Sequence, residues 1–158
     1  MVKRNWRVYA FWVVLCELVG FASGLLSREG IAVYNVSVAK PSFTPPAWVF
    51  PVVWTILFAI MGISAARVCI SPPSKVRSWG LNVFIAQLVV NFFWPLFFFN
   101  LQAFGFAFIW VILLWILVAF TIYQFWKVDR TAAWLLVPYL AWLTFAAILN
   151  GAVWLMNP

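Results

Sequence analysis

The sequence predicts an all-α membrane protein, a bundle of five transmembrane helices formed by residues 1–158 as one domain. Two observations support this fold class. Of the 158 residues, 67% are hydrophobic and only 8% are charged, which leaves too little polar surface to cover a water-soluble globule. The apolar residues also form five long runs, each about as long as the roughly 20 residues that cross a bilayer as a helix.

The first run covers about residues 6–26 and follows the cations Lys3, Arg4 and Arg7. Signal peptides and first membrane helices share this pattern. This apolar stretch exceeds the roughly 7 to 15 residues of a signal peptide, and the small residues at 22–24 make a weak cleavage site. We therefore expect a retained first helix.

The other four runs are separated by polar or proline-containing breaks. They lie at about residues 47–70, 79–99, 103–126 and 132–156. The break between the third and fourth runs is only Asn-Leu-Gln at 100–102, so these two helices are expected to form a tight antiparallel pair.

Lysine and arginine fall mainly on one side of the predicted membrane. On that side lie eight of the ten: Lys3, Arg4, Arg7, Arg67, Lys75, Arg77, Lys127 and Arg130. Arg28 and Lys40 lie on the other. The positive-inside rule then predicts a cytoplasmic N-terminus and an external C-terminus in a bacterial-type cell membrane. Cations at span ends meet lipid headgroups, so the net charge of +7 does not indicate a nucleic-acid partner, and Arg67 is expected to extend towards water.

The connection between the first two spans, about residues 27–46, is much longer than the others and ends in a proline-rich stretch. Loops of this length in compact proteins are usually functional or disordered. Its aromatic residues Tyr34 and Phe43 could anchor it, and its prolines stiffen it. We interpret it as a lid over the bundle, the alternative being a solvated connector.

Twelve tryptophans exceed what the interfacial belts of a small membrane protein require. Helical spacing places two aromatic sets on single faces, one in the second span and one in the fifth. These sets are Trp54, Phe58 and Met61, and Tyr139, Trp142, Ala146 and Asn150. Opposed across a small side chain, the two faces would form a flat slot suited to a planar ligand. Ordinary packing between helices would produce the same spacing.

Polar residues inside the spans offer further candidates. Gln87, Asn91 and Trp94 share one face of the third span, where they either hydrogen-bond to neighbouring helices or orient a ligand. Glu17 is the only acid well inside a span. It is a candidate proton or cation site, or a protonated group bonded to a neighbouring helix.

Two motifs resemble those of a known family. Residues 40–51 read Lys-Pro-Ser-Phe-Thr-Pro-Pro-Ala-Trp-Val-Phe-Pro and lead to Trp54, while the last span carries Val-Pro-Tyr-Leu-Ala-Trp at 137–142 and Leu149-Asn150. Together they resemble the TspO/MBR family, which comprises bacterial tryptophan-rich sensory proteins and the mitochondrial translocator protein, or peripheral benzodiazepine receptor. The resemblance covers nearly the whole chain.

This resemblance implies five transmembrane helices, commonly a homodimer, and a pocket beneath the first loop for porphyrins and isoquinoline carboxamides. The expected ligand is protoporphyrin IX or haem, with no obligatory cofactor and no metal site. By motif position, the implied ligand-binding residues are Tyr34, Pro45, Pro46, Trp54, Asn91, Trp142, Ala146 and Leu149.

The chain departs from the family pattern in two places. Phe43 stands where many members have tryptophan before Thr-Pro-Pro, which keeps an aromatic surface but loses an N–H donor. Residues 151–156 lack the tyrosine and the cation of the sterol motif proposed for the animal proteins, which puts sterol binding by that motif in doubt.

Three functional hypotheses follow. The first is a porphyrin-binding stress sensor or carrier, with light-dependent porphyrin breakdown as a possible activity through electron donation from Trp54 or Trp142. No general acid–base pair supports another kind of catalysis. The second is a proton-coupled exporter of hydrophobic compounds that uses Glu17. The third is a membrane scaffold whose aromatic residues only pack helices.

Overall fold

The computed structural model describes the backbone of residues 2–158 and the side chains of residues 5–158. This part of the chain forms six α-helices and one π-helical turn. They are α1 (Val2–Ser37), α2 (Val49–Cys69), α3 (Lys75–Pro95), the π-turn (Leu96–Asn100), α4 (Phe104–Trp126), α5 (Arg130–Leu135) and α6 (Val137–Met156). Together these make five helical segments long and apolar enough to cross a bilayer, with α3 running into the π-turn and α5 into α6. The predicted five-helix membrane fold is confirmed.

The fifth span is divided near its start. Pro138 has no N–H to donate to the carbonyl one turn before it, so the helix beginning at Arg130 stops at Leu135 and restarts at Val137. The observed spans otherwise begin and end within a few residues of the predicted ones, apart from the first.

The predicted loop at 27–46 is wrong in its first half, because α1 continues to Ser37 and carries Tyr34 within it. Ser27, Gly30, Tyr34 and Val38 are buried at helical spacing, whereas the residues between them are mostly exposed. The drop in hydropathy after residue 26 thus marks a change from an apolar to an amphipathic helix. The connection to α2 is residues 38–48, here called the lid segment.

Gly30 lets the extension of α1 lie directly on the π-turn. A Cβ on Gly30 would meet the side-chain oxygen of Asn100 and the carbonyl carbon of Phe99, the latter at 2.6 Å. The Asn100 amide nitrogen also donates to the carbonyl of Leu26 at 2.9 Å. Only glycine permits this approach.

Much of the packing in the bundle is between four pairs of helices. α1 lies along α2, α3 pairs with α4 as the short linker predicts, α4 packs on α6, and α5 packs on α2. The backbones of α2 and α6 approach each other closely at few points. We call the end holding the lid segment the lid end, and the opposite end the N-terminal end.

An ion pair fixes α2 to α5 at the N-terminal end. Asp129 lies 3.0 Å from the guanidinium of Arg67 and also accepts a 3.0 Å hydrogen bond from the backbone N–H of Ala132. The Ser64 hydroxyl donates to the Ala132 carbonyl at 2.7 Å. Arg67 therefore pairs with a carboxylate instead of merely reaching for water, because the start of α5 brings Asp129 within range.

Candidate functional site

A row of aromatic rings bridges the gap between α2 and α6. The rings of Trp54 and Tyr139 lie 6.2 Å apart at 72°, and those of Phe50 and Trp142 lie 5.9 Å apart at 64°. Both pairs meet edge to face, a favoured geometry for aromatic pairs. Trp54 and Trp142 thus each contact a ring of the opposite helix, one helical turn apart.

The lid segment extends this row towards the lid end. Phe43 contacts Phe145 of α6 at 6.3 Å between ring centroids, and Phe145 contacts Trp142 at 5.3 Å. Pro45 is half-buried and Pro46 is exposed. We use the name aromatic row for Phe43, Phe50, Trp54, Tyr139, Trp142 and Phe145.

Phe50 and Phe145 of this row are not among the predicted site residues. Their spacing carries the signal: Phe50 precedes Trp54 by four residues and Phe145 follows Trp142 by three, so each lies on the face of its tryptophan.

A buried polar network lies directly beneath the aromatic row. The Asn91 amide nitrogen donates to the Tyr139 hydroxyl at 2.6 Å, and that hydroxyl donates to the side-chain oxygen of Gln87 at 2.7 Å. The Gln87 amide nitrogen points at the sulfur of Met61, 3.9 Å away. Asn91, a predicted ligand-binding residue, therefore has its amide nitrogen engaged by α6 and keeps its carbonyl oxygen for other partners.

A second polar link joins α3, α4 and α6. The indole nitrogen of Trp94 donates to Asn150 at 3.1 Å, and the Asn150 amide donates to the carbonyl of Phe104 at 2.9 Å. Gln87, Asn91 and Trp94 thus form hydrogen bonds between helices, the first of the two roles that their shared face allows.

Tyr34 lies in a separate cluster at the lid end. Its side chain is 4% exposed and packs against Phe98 and Phe99, with ring centroids 5.3 Å and 5.1 Å away. Trp94 packs against both this cluster and the larger one that holds Trp54, Tyr139 and Trp142. The remaining predicted site residues, Ala146 and Leu149, are buried on α6.

Two buried donors near these clusters have no hydrogen-bond acceptor among the residues that the structure describes. They are the indole nitrogen of Trp142 and the hydroxyl of Tyr34. An unsatisfied buried donor is costly, by about 1–3 kcal/mol. A ligand that presents an acceptor to either atom would recover part of that free energy.

Glu17 lies on the side of α1 that faces α2. Its neighbours along the same face are Val13, whose backbone lies against Gly62, and Gly20, which lies against the ring of Phe58. The Glu17 side chain is half-buried and forms no ion pair within the described part of the chain.

The family model for the TspO/MBR family matches residues 12–155. The chain is 38% identical over 150 residues to the tryptophan-rich protein TspO of Chlorobaculum tepidum, covering 94% of this chain and 95% of that protein. It is 38% identical to the protein CrtK of Rhodobacter capsulatus, covering 96% and 93% of the two chains. It is 33% identical to the translocator protein of Bos taurus, covering 96% and 91%. The chain is an integral membrane protein that belongs to the TspO/MBR family.

Proposed function

We propose that the protein binds flat, hydrophobic tetrapyrroles such as protoporphyrin IX or haem at the aromatic row, and acts as a stress sensor, a carrier or a promoter of porphyrin breakdown. Drug-like isoquinoline carboxamides share the planar, apolar shape and the acceptor group that this site favours. The proposal places the N-terminus in the cytoplasm, with the lid end outside.

The observation that supports this most is that aromatic side chains, and not close backbone contact, fill the space between α2 and α6. Edge-to-face rings can be parted at small cost, because each pair contributes only about 0.5–1.5 kcal/mol beyond its burial. A planar ligand inserted between Phe50 and Trp142 would replace these edge contacts with stacking on both faces.

Trp142 carries the polar part of the recognition. Its unpartnered indole N–H would donate to a carboxylate or carbonyl on the rim of the ligand. The carbonyl oxygen of Asn91, left free by the bond to Tyr139, would accept from a ring N–H or a carboxylic acid. The buried network beneath the row would hold both residues in place.

Replacing Trp142 tests this assignment. We expect Trp142→Ala to weaken protoporphyrin binding about thirtyfold, because it removes a stacking wall worth roughly 1 kcal/mol beyond burial together with an N–H donor worth about as much. Trp142→Phe keeps the wall and loses only the donor, so we expect about a fivefold loss. Both affinities are measured by porphyrin absorbance in detergent, because each substitution removes a tryptophan and would by itself change the protein fluorescence.

Trp6→Phe is the matched control, because Trp6 is exposed at the N-terminal end and far from the aromatic row. It should bind protoporphyrin as the parent does. Unchanged affinity in Trp142→Ala and in Trp54→Ala would show that the ligand does not use this row.

A proton-coupled exporter is the second candidate, favoured by the half-buried carboxyl of Glu17 within a membrane span, which has no ion pair with any side chain in residues 5–158. In proteoliposomes with an imposed pH gradient, this function predicts efflux of a hydrophobic cation that disappears in Glu17→Gln. Tetrapyrrole binding at the aromatic row predicts instead that Glu17→Gln binds protoporphyrin like the parent. An absence of gradient-driven flux in the parent would remove the exporter.

A further inference from the structure

Asn157, just beyond the end of α6, clasps the backbone of the lid segment. Its side-chain oxygen accepts from the N–H of Ala39 at 3.2 Å, and its amide nitrogen donates to the carbonyl of Ala39 at 2.9 Å. The second hydrogen of the same amide donates to the carbonyl of Val153 at 2.8 Å. The side-chain oxygen of Asn157 and both of its amide N–H groups are thus hydrogen-bonded to the backbone.

Apart from the bonds to Asn157, the side-chain hydrogen bonds of the lid segment join its own chain neighbours, while its first residue, Val38, is buried in the cluster that holds Tyr34. The ammonium of Lys40 donates to the carbonyls of Asn35 and Val38 at 3.2 Å and 3.1 Å, which caps the end of α1. The Thr44 hydroxyl donates to the carbonyl of Pro41 at 2.7 Å and closes a tight turn. These bonds shape the segment without attaching it to α6.

Beyond Val38, the lid segment contacts α6 at two separate places. Ala39 meets Asn157, and Phe43 meets Phe145, twelve positions earlier on the same helix and about 18 Å away at 1.5 Å per residue. The chain between Ala39 and Phe43 therefore links the C-terminal end of α6 to its middle. They end on the ring that contacts Trp142.

We propose that Asn157 is a positioning residue that latches the lid segment over the aromatic row and so sets how fast ligands reach and leave it. This rests on the proposed function of that row. The hydrogen bonds between Asn157 and Ala39 are exposed, where water competes for the same groups, so they break and re-form readily. A reversible clasp of this kind controls access more than it controls the affinity of the closed state.

The test compares Asn157→Ala, which removes the clasp, with Asn157→Asp, which keeps the acceptor for the Ala39 N–H but loses both donated bonds. Asn35→Ala is the control, because that exposed side chain lies beside the lid segment. Hydrogen exchange at the amide of Ala39 is measured in the ligand-free protein. Stopped-flow mixing with protoporphyrin IX gives the association and dissociation rates.

We expect Asn157→Ala to accelerate exchange at Ala39 about fivefold or more, the factor that corresponds to losing one net hydrogen bond. Association and dissociation rates should rise together by a similar factor, with Kd changed less than about twofold. Asn157→Asp should fall between Asn157→Ala and the parent, and Asn35→Ala should match the parent.

A general loss of structure would look different, since it would weaken Kd while leaving the association rate unchanged or lower, and that outcome overturns the proposal. Unchanged exchange at Ala39 overturns the latch whether or not a ligand binds. Faster exchange with unchanged binding rates shows that the clasp does not govern access. If the parent binds no protoporphyrin, the proposed function fails and the control of access fails with it, while the exchange rates still decide whether the clasp exists.

Discussion

Gly62→Ala is expected to destabilise the protein by about 1–3 kcal/mol, although alanine is the better helix former by about 1 kcal/mol. A Cβ at this position would meet the backbone of α1, with the nitrogen of Val13 at 2.7 Å and the carbonyl carbon of Trp12 at 2.9 Å. Backbone atoms cannot swing aside as a flexible side chain can. The two helices would have to separate, which breaks the longest packed interface in the bundle.

Gly24→Ala is the matched control for this prediction. Gly24 lies on α1, and a Cβ there has nothing within 4 Å, so the change adds helix propensity without a clash. Chemical unfolding in mixed micelles should therefore show the two substitutions moving stability in opposite directions. Equal effects would mean that α1 and α2 do not touch at Gly62 in the membrane.

The membrane fold could be predicted because lipid imposes strong constraints on sequence. Every span needs about 20 apolar residues, and each boundary is marked by a proline, an amide or a charge. The C-terminal part of α1 could not be found this way. Its burial depends on Gly30 and Tyr34 meeting the π-turn, and that contact is a property of the tertiary structure. Hydropathy falls there because only one face of the helix is covered.

Sequence spacing predicted which helix faces form the candidate site, but not which aromatic rings meet across it. Helical spacing placed Trp54 on one face of α2 and Trp142 on one face of α6, and these faces do approach each other. Spacing could not show that the tryptophans are offset by a turn and meet Phe50 and Tyr139 instead. The register between helices distant in sequence depends on how the whole bundle packs.

The sequence also could not show which polar side chains hydrogen-bond to each other. Helical spacing places Gln87, Asn91 and Trp94 on one face of α3. Which of their polar atoms form hydrogen bonds within the bundle depends on partners more than 40 positions away, such as Tyr139 and Asn150. These buried bonds hold α3 against α6, and none of the residues that the structure describes offers an acceptor to the indole nitrogen of Trp142. Under the proposed function, a bound ligand would supply the missing acceptor.

Asp129 joins α5 to α2 through its ion pair with Arg67 and caps α5 through the N–H of Ala132. Asp129→Ala is therefore expected to cost about 2 kcal/mol of folding free energy. Losing the N-cap of α5 accounts for about 1 kcal/mol. Losing the half-exposed pair with Arg67 accounts for up to about 1 kcal/mol more.

Asp129→Asn separates the two contributions, because an asparagine still caps α5 through the N–H of Ala132 but carries no charge for Arg67. We expect it to lose about half as much as Asp129→Ala, and we expect 1 M salt to narrow the gap between Asp129→Asn and the parent by screening the ion pair. Thermal unfolding in bicelles at low and high salt measures both effects. If Asp129→Asn proved as unstable as Asp129→Ala, the cap would contribute nothing, and the ion pair alone would hold the N-terminal end of α2 against α5. The backbones of α2 and α6 approach each other closely at few points, so under the proposed function this junction would keep the two helices together while the aromatic rings part for a ligand.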